Sequence, residues 1–558
     1  VAVGVCLVAL VAGACSRQTK IDGLKATSDA KAGGTITVAI PAPGSIEPGN
    51  VHDAAGRLVV ETMCDPLIQL DPVTGEMKGA LADSWQVGDR GKRITIRLRR
   101  GLRMSNGARL TADDVVRSLT RAASEDYAGY NATLLSPIDG YPIVHGDERT
   151  DDDAKKKRLA GTRVIENVSF EIRLTEGNAD FVRILTSPVA MPIAWRTAEK
   201  DPAAFAHEPV CAGPYRLAAP WKPGDPSIRL VRNERYKPVN SGLTRSGAGW
   251  ADEIVFKIVP DLAAAAADFG QGGSDVATVP LASVASLRGS DPAHLVEGVG
   301  SGIEYIGLSA TKGLTAKPAV RIALSQAIDR KELIARVFGG SRVPAAGFIG
   351  PSVGDEGFKK DACGARAPAS GSADAAAATL RAAGVDLHGA LLPLAYNDEL
   401  NNKAVAEEVA RQWRAALGVD VQLVAMPWDK YLAQAVGAQG FDGAFRLRWA
   451  PAYPSADSYL ASPFSAAGIG RDNFSRFSNR TFDLDLERVA RRQALDADRA
   501  AEYLRLEARL CEAMPMIPLT VDGTRFLVRT ERLASATGSF TARGDGLVDV
   551  RDIYVKTP

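Results

Sequence analysis

The sequence predicts an α/β protein, and three stretches carry that reading. Residues 391–397 (LLPLAYN) read as a strand, 403–417 (KAVAEEVARQWRAAL) as an amphipathic helix, and 419–426 (VDVQLVAM) as a second strand. This β–α–β spacing favours a parallel pair joined by a crossover helix. Residues 94–99 (ITIRLR) alternate like a half-buried strand, and a late helix at 499–513 precedes another strand candidate, MPMIPLT.

The remaining elements follow in chain order. GGTITVAIPAP (33–43) opens with strand alternation. After a turn at Asn106-Gly107, Thr111 stands as the N-cap of a helix whose first turn carries Asp113 and Asp114, where carboxylates favour the helix dipole. The charge-dense stretch 146–162 reads as a solvated loop, and 168–174 (VSFEIRL) as a strand. The Ala-rich run 262–268 and the Ser/Ala run 369–378 read as helical, and no internal repeat is present.

The chain has 558 residues, 46% hydrophobic and 24% charged, which suits a soluble globular protein of more than one domain. Formal net charge is +1, so global charge makes no case for nucleic acid as a partner. Residues 1–14 (VAVGVCLVALVAGA) are uncharged and apolar, shorter than the ~20 residues that span a bilayer as a helix. They fit the apolar region of a signal peptide. Ala12, Gly13 and Ala14 before Cys15 resemble a bacterial lipobox, with Ala12 where Leu is more usual. The expectation is a signal segment 1–15 with lipid on Cys15, then a polar tether, 16–32. A plain secretory signal is the other reading. Two acyl chains would anchor stably where one is marginal. Cys64, Cys211, Cys363 and Cys511 remain, an even number that suggests two disulfides in an exported protein.

Chemical motifs mostly fail. The five histidines lack metal-ligand spacing and no CxxC occurs, so no metal and no cofactor is expected. No GxxxxGK[ST] loop is present. Gly350-Pro351-Ser352-Val353-Gly354 matches GxSxG, but Gly/Pro-rich sequence on both sides denies it the strand-to-helix elbow a nucleophile needs. No catalytic residue is assigned.

Several segments, in order, resemble the family-5 extracellular solute-binding proteins, the class containing peptide- and nickel-binding proteins of ABC importers. VVETMCDPLIQLDPVTGEMKGALADSWQV (59–87) resembles the family's opening, and RITIRLRRGLRMSNGARLTADDVVRSL (93–119) its most characteristic stretch. CAGPYRL (211–217) is similar to its GTGPY turn and PAVRIALSQAIDRKELI (318–334) to its VRxAlsxAIDR helix. RWAPAYPSADSYL (448–460) with DNFSRFSNRTFDLDLERV (472–489) resembles its tryptophan loop and the segment after it. The resemblance implies a two-lobe, periplasmic-binding-protein-like α/β fold with a hinge, mixed sheets flanked by helices, and an extra subdomain on lobe one. Lobe one would combine 33–75, 205–305 and 519–558, with 76–204 as its subdomain; lobe two would be 306–518. The chain would cross between lobes near 305–310 and 515–522. Pairing within lobes would join Cys64 to Cys211 and Cys363 to Cys511, leaving the hinge free.

The implied function is a substrate-binding lipoprotein, outside the cytoplasm, that closes on a small solute and delivers it as a monomer to an ABC permease. It would not be an enzyme. In peptide-binding relatives an aspartate of the tryptophan loop receives the peptide ammonium; here that position is Ala452. Asp457 is a substitute or a helix-capping or surface residue. Arg446 falls where a relative uses Arg for a peptide carboxylate, and Arg448 shares its strand face. A salt bridge to Asp442 or another acid is the other reading of this pair. Trp428, Trp449, Tyr453, Tyr305, Met63 and Cys64 also fall where relatives line the cleft, or else pack a core. The cargo is read as a peptide or peptide-like solute, the alternatives being a non-peptide metabolite such as a sugar or chelate or, from another class, a serine hydrolase built on Ser352.

Overall fold

Helix and strand alternate along the chain to form one large mixed sheet. A computed structural model describes residues 31–556 except 71–75, 128, 130, 151, 153–157, 237–248, 281–282, 292, 355–356, 399–400, 494–495, 537–539 and 541–547. The signal segment, Cys15 and most of the tether lie outside the described residues. No helix among the described residues is long and apolar enough to cross a membrane.

The main sheet has 11 strands. From one edge it runs Asp420–Met426, Leu391–Asn397, Ala444–Trp449, Leu295–Leu308, Met516–Val528, Val276–Thr278, Thr35–Pro41, Glu253–Val259, Ser227–Arg232 and Tyr215–Leu217, with Val343–Pro344 also pairing Met516–Val528. Leu391–Asn397 pairs parallel with Asp420–Met426, and the helix Asn402–Leu417 between them ends on Gly418 at φ 65°. That left-handed cap is the conformation glycine adopts without a Cβ penalty. Leu295–Leu308 and Met516–Val528 are long because they run through both halves of the sheet.

The three largest hydrophobic cores among the described residues divide the molecule. One gathers residues between 303 and 521, with Trp413, Tyr305 and Phe445 fully buried. A second lies between 67 and 212 and fills the inner face of a four-stranded antiparallel sheet, Ala82–Gly88, Arg93–Leu98, Ser169–Arg173 and Thr162–Glu166. The third joins Thr35–Pro41 to residues 211–256 and 526–553. This is the two-lobe α/β architecture, with the middle subdomain as a separate core. Helix Ala112–Ala123 begins in a capping box: Thr111 N–H donates to Asp114 at 2.8 Å and Thr111 Oγ1 accepts from Asp114 N–H. Disulfides join Cys64 to Cys211 and Cys363 to Cys511, the first within the third core and the second within the first.

Candidate functional site at the hinge

The two long strands lose register where they pass between lobes. Val299 faces Gly523 and Ile303 faces Val521, so Gly300, Ser301 and Gly302 bulge out against Asp522. A bulge bends a strand and re-aims its side chains. A Cβ on Gly302 would displace the Asp522 carboxylate and the Arg448 guanidinium, so glycine here leaves room for that pair. The released carbonyl of Ser301 accepts from Tyr459 Oη at 2.5 Å.

Around this bulge three guanidiniums meet two carboxylates. Arg446 and Arg448 share a face of Ala444–Trp449, in register with Ile306 and Glu304. Arg446 grips Glu304 with a two-pronged fork, one arm at 2.8 Å; Glu304 is buried and Arg446 mostly so. Arg342 shares Glu304 at 3.1 Å and reaches Asp522 at 3.2 Å. Arg448 donates Nε to Asp522 at 2.8 Å, yet 47% of its side chain stays exposed. The cluster therefore carries one surplus positive charge, and Arg448 is its accessible member. Neither Arg446 nor Arg448 pairs with Asp442, which binds Lys312 instead.

The tryptophan loop is fastened by its own polar groups. Trp449 Nε1 donates to the Ser458 carbonyl at 3.1 Å, and Ala452 N–H to Ser458 Oγ at 2.9 Å. Tyr453 Oη donates to Asp457 at 2.8 Å, and Ser455 caps the helix Ala456–Phe464 by accepting from Asp457 N–H. Asp457 is buried; burial first, then the neighbouring Asp180 charge, lifts its carboxyl above the usual range.

The other candidate positions scatter. Trp428 is 47% exposed and stacks on Tyr431, whose hydroxyl donates to the Arg446 carbonyl. Tyr305 is buried and donates to the Phe348 carbonyl at 3.1 Å. Met63 and Cys64 lie in the third core, Cys64 as a disulfide partner. Ser352 Oγ lies 2.9 Å from Tyr459 Oη. Burial holds that phenol well above its ordinary pKa, so it is no base, and Pro351–Val353 is a single 3-10 turn rather than an elbow. Among the described residues no His, Cys, Asp or Glu cluster suits a metal.

Glu304, Asp522 and Arg342 escaped the sequence reading. Gly300-Ser301-Gly302 signals a bend, since glycine within a strand marks a bulge, but it does not name the ion partners gathered there.

The model of the bacterial extracellular solute-binding proteins, family 5, matches residues 76–471. Glutathione-binding protein GsiB of Salmonella paratyphi A is 24% identical over 489 residues, 86% of this chain and 87% of its own. Heme-binding protein A of Haemophilus influenzae is 23% identical over 537 residues, 91% of each chain. The solved unliganded open form of the murein tripeptide-binding protein MppA, known from Escherichia coli, superposes with a TM-score of 0.78 at 21% identity, covering 96% of this chain and 99% of that one.

Proposed function

Because the chain belongs to the bacterial extracellular solute-binding proteins, family 5, we propose that it serves an ABC importer by capturing an anionic small solute at the hinge between its lobes. The observation that carries this reading is the surplus guanidinium charge at the bulge, with Arg448 half-exposed, beside a loop that bears Ala452. A guanidinium fork suits a carboxylate or another strong acceptor. Trp449, next in the strand after Arg448, supplies apolar surface beside it. Relatives named for glutathione, heme and murein tripeptide support a peptide-like cargo and equally a non-peptide one. The missing carboxylate at position 452 favours the second over a plain peptide, whose buried ammonium would lack an anionic partner.

In this reading 33–75, 205–305 and 519–558 form lobe one, 76–204 its subdomain and 306–518 lobe two. The protein acts as a monomer, held to the outer face of the cell membrane by lipid on Cys15, and presents its closed form to the permease.

Native mass spectrometry of the purified chain identifies the co-purified solute, and calorimetry measures its binding. Arg448→Met and Arg446→Met each weaken it by roughly 10–150-fold, the equivalent of one charge-assisted hydrogen bond. Sub-micromolar binding of plain tri- or tetrapeptides, unaffected by either change, refutes the anionic-cargo reading.

A further inference from the structure

The turn 178–183 belongs to the middle subdomain, yet its polar groups are spent on lobe two. Asp180 is 1% exposed and takes both arms of Arg499, at 3.0 and 2.6 Å, from the helix Ala497–Ala513. Tyr503 Oη, one turn on, lies 2.9 Å from Asp180 and 3.1 Å from Asp457, bridging the two carboxylates. Asn178 also reaches Asp457, Arg183 donates to the Pro454 carbonyl at 2.9 Å, and Ala179 N–H donates to the Ala490 carbonyl at 2.9 Å. Tyr453 packs against the subdomain core rather than its own.

We propose that this turn positions the loop 449–458 from across the lobe boundary, with Asp180 as the central positioning residue. The importance of that loop for cargo rests on the function proposed above; its positioning does not. Among the described residues of the subdomain Asp180 has only Arg183 as an ionic partner, at 3.4 Å, so the folding of the subdomain gives little reason for a buried aspartate there. A buried ion pair seldom outperforms apolar packing in stability, but it specifies one register, because a partner removed leaves an uncompensated charge. Asp180 acts through Arg499 and Tyr503 on Asp457, and through Asp457 on Tyr453. The backbone of the loop is gripped separately at Pro454. The subdomain thereby sets the shape of a lobe-two loop before any cargo arrives.

Hydrogen–deuterium exchange of the full, disulfide-intact chain tests this without cargo. Asp180→Asn is expected to speed exchange across 449–458 at least tenfold and to leave 391–397 unchanged. Arg499→Met does the same and Arg499→Lys recovers part of the protection, a graded rescue that a general loss of stability would not produce. Tyr503→Phe removes one hydroxyl from the network and keeps the ring, so it reports even where a charge variant fails to fold. Loop protection equal to wild type in Tyr503→Phe and in the folded charge variants overturns the proposal. Failure of the cargo reading shows separately, as unchanged calorimetry in Arg448→Met.

Discussion

Glu507→Gln should stabilise lobe two at neutral and alkaline pH and flatten its pH dependence. Glu507 lies buried on the helix Ala497–Ala513, and one carboxyl oxygen accepts from Phe348 N–H at 2.6 Å and Ile349 N–H at 2.8 Å. The other oxygen has no hydrogen-bond partner among the described residues. Burial outweighs the two amide bonds and the nearby Lys359, and pushes the group up to about 7. An unfolded glutamate titrates near ~4.3. Below that pH both states are protonated and the group contributes nothing. Between there and about 7 the unfolded chain releases the proton while the folded chain keeps it, so stability falls as pH rises. Above that window the loss is complete, roughly 3–4 kcal/mol from the separation of the two values. Glutamine keeps one oxygen for the two amides and has no charge to bury. Urea unfolding at pH 5, 6, 7 and 8 checks it: from pH 5 through about 7 wild type loses more stability than the variant does. A variant less stable than wild type at pH 8 would show that the carboxylate's bonds to 348 and 349 outweigh its desolvation, and would refute the reasoning.

Three further outcomes are expected. A Cβ on Gly307 would enter the ring of buried Phe445, so Gly307→Ala should lose about 1–3 kcal/mol or more by overpacking, read as a lowered melting temperature. The Cys363–Cys511 disulfide closes 148 residues, and the double Ser variant should lose up to ~4–5 kcal/mol of lobe-two stability in urea, the chain-entropy limit. Cys15→Ala should release the protein from carbonate-washed membranes; a variant that stays bound rejects the lipid anchor.

The lobe-two sheet was legible because its elements keep their periods. Residues 391–397, 403–417 and 419–426 alternate and repeat as strand, helix and strand, and each lies within a residue of the observed element. The hinge strands were harder to read. Met516–Val528 shows only its first half, MPMIPLT, because Asp522, Gly523, Thr524 and Arg525 look like a turn. Leu295–Leu308 is interrupted by Gly300, Ser301 and Gly302 for the same reason. A strand that bends between lobes and holds an ion cluster needs glycine and charge where a plain strand needs β-branched residues. Local pattern therefore reads a hinge as a loop.

The site divides along similar lines. Period two put Arg446 and Arg448 on one face, but their anions come from 142 and 74 residues away. Nothing local announces Glu304 or Asp522. The loop beside them bears on the reading of Ala452. Asp457 stood as the nearest carboxylate that could receive an ammonium, but it is buried, bonded to Tyr453 and Tyr503, and raised toward its neutral form by burial and by Asp180. Its charge is directed away from solvent and toward the subdomain. With position 452 apolar and 457 committed, the loop offers a cargo no carboxylate, whereas Arg448 keeps nearly half its surface open beside it. The electrostatic preference of the hinge is thus set by which charges the fold consumes. In the function proposed above, Asp457 of the loop and Asp180 of the subdomain are consumed in the contact between them, and the charge left over for a ligand is positive.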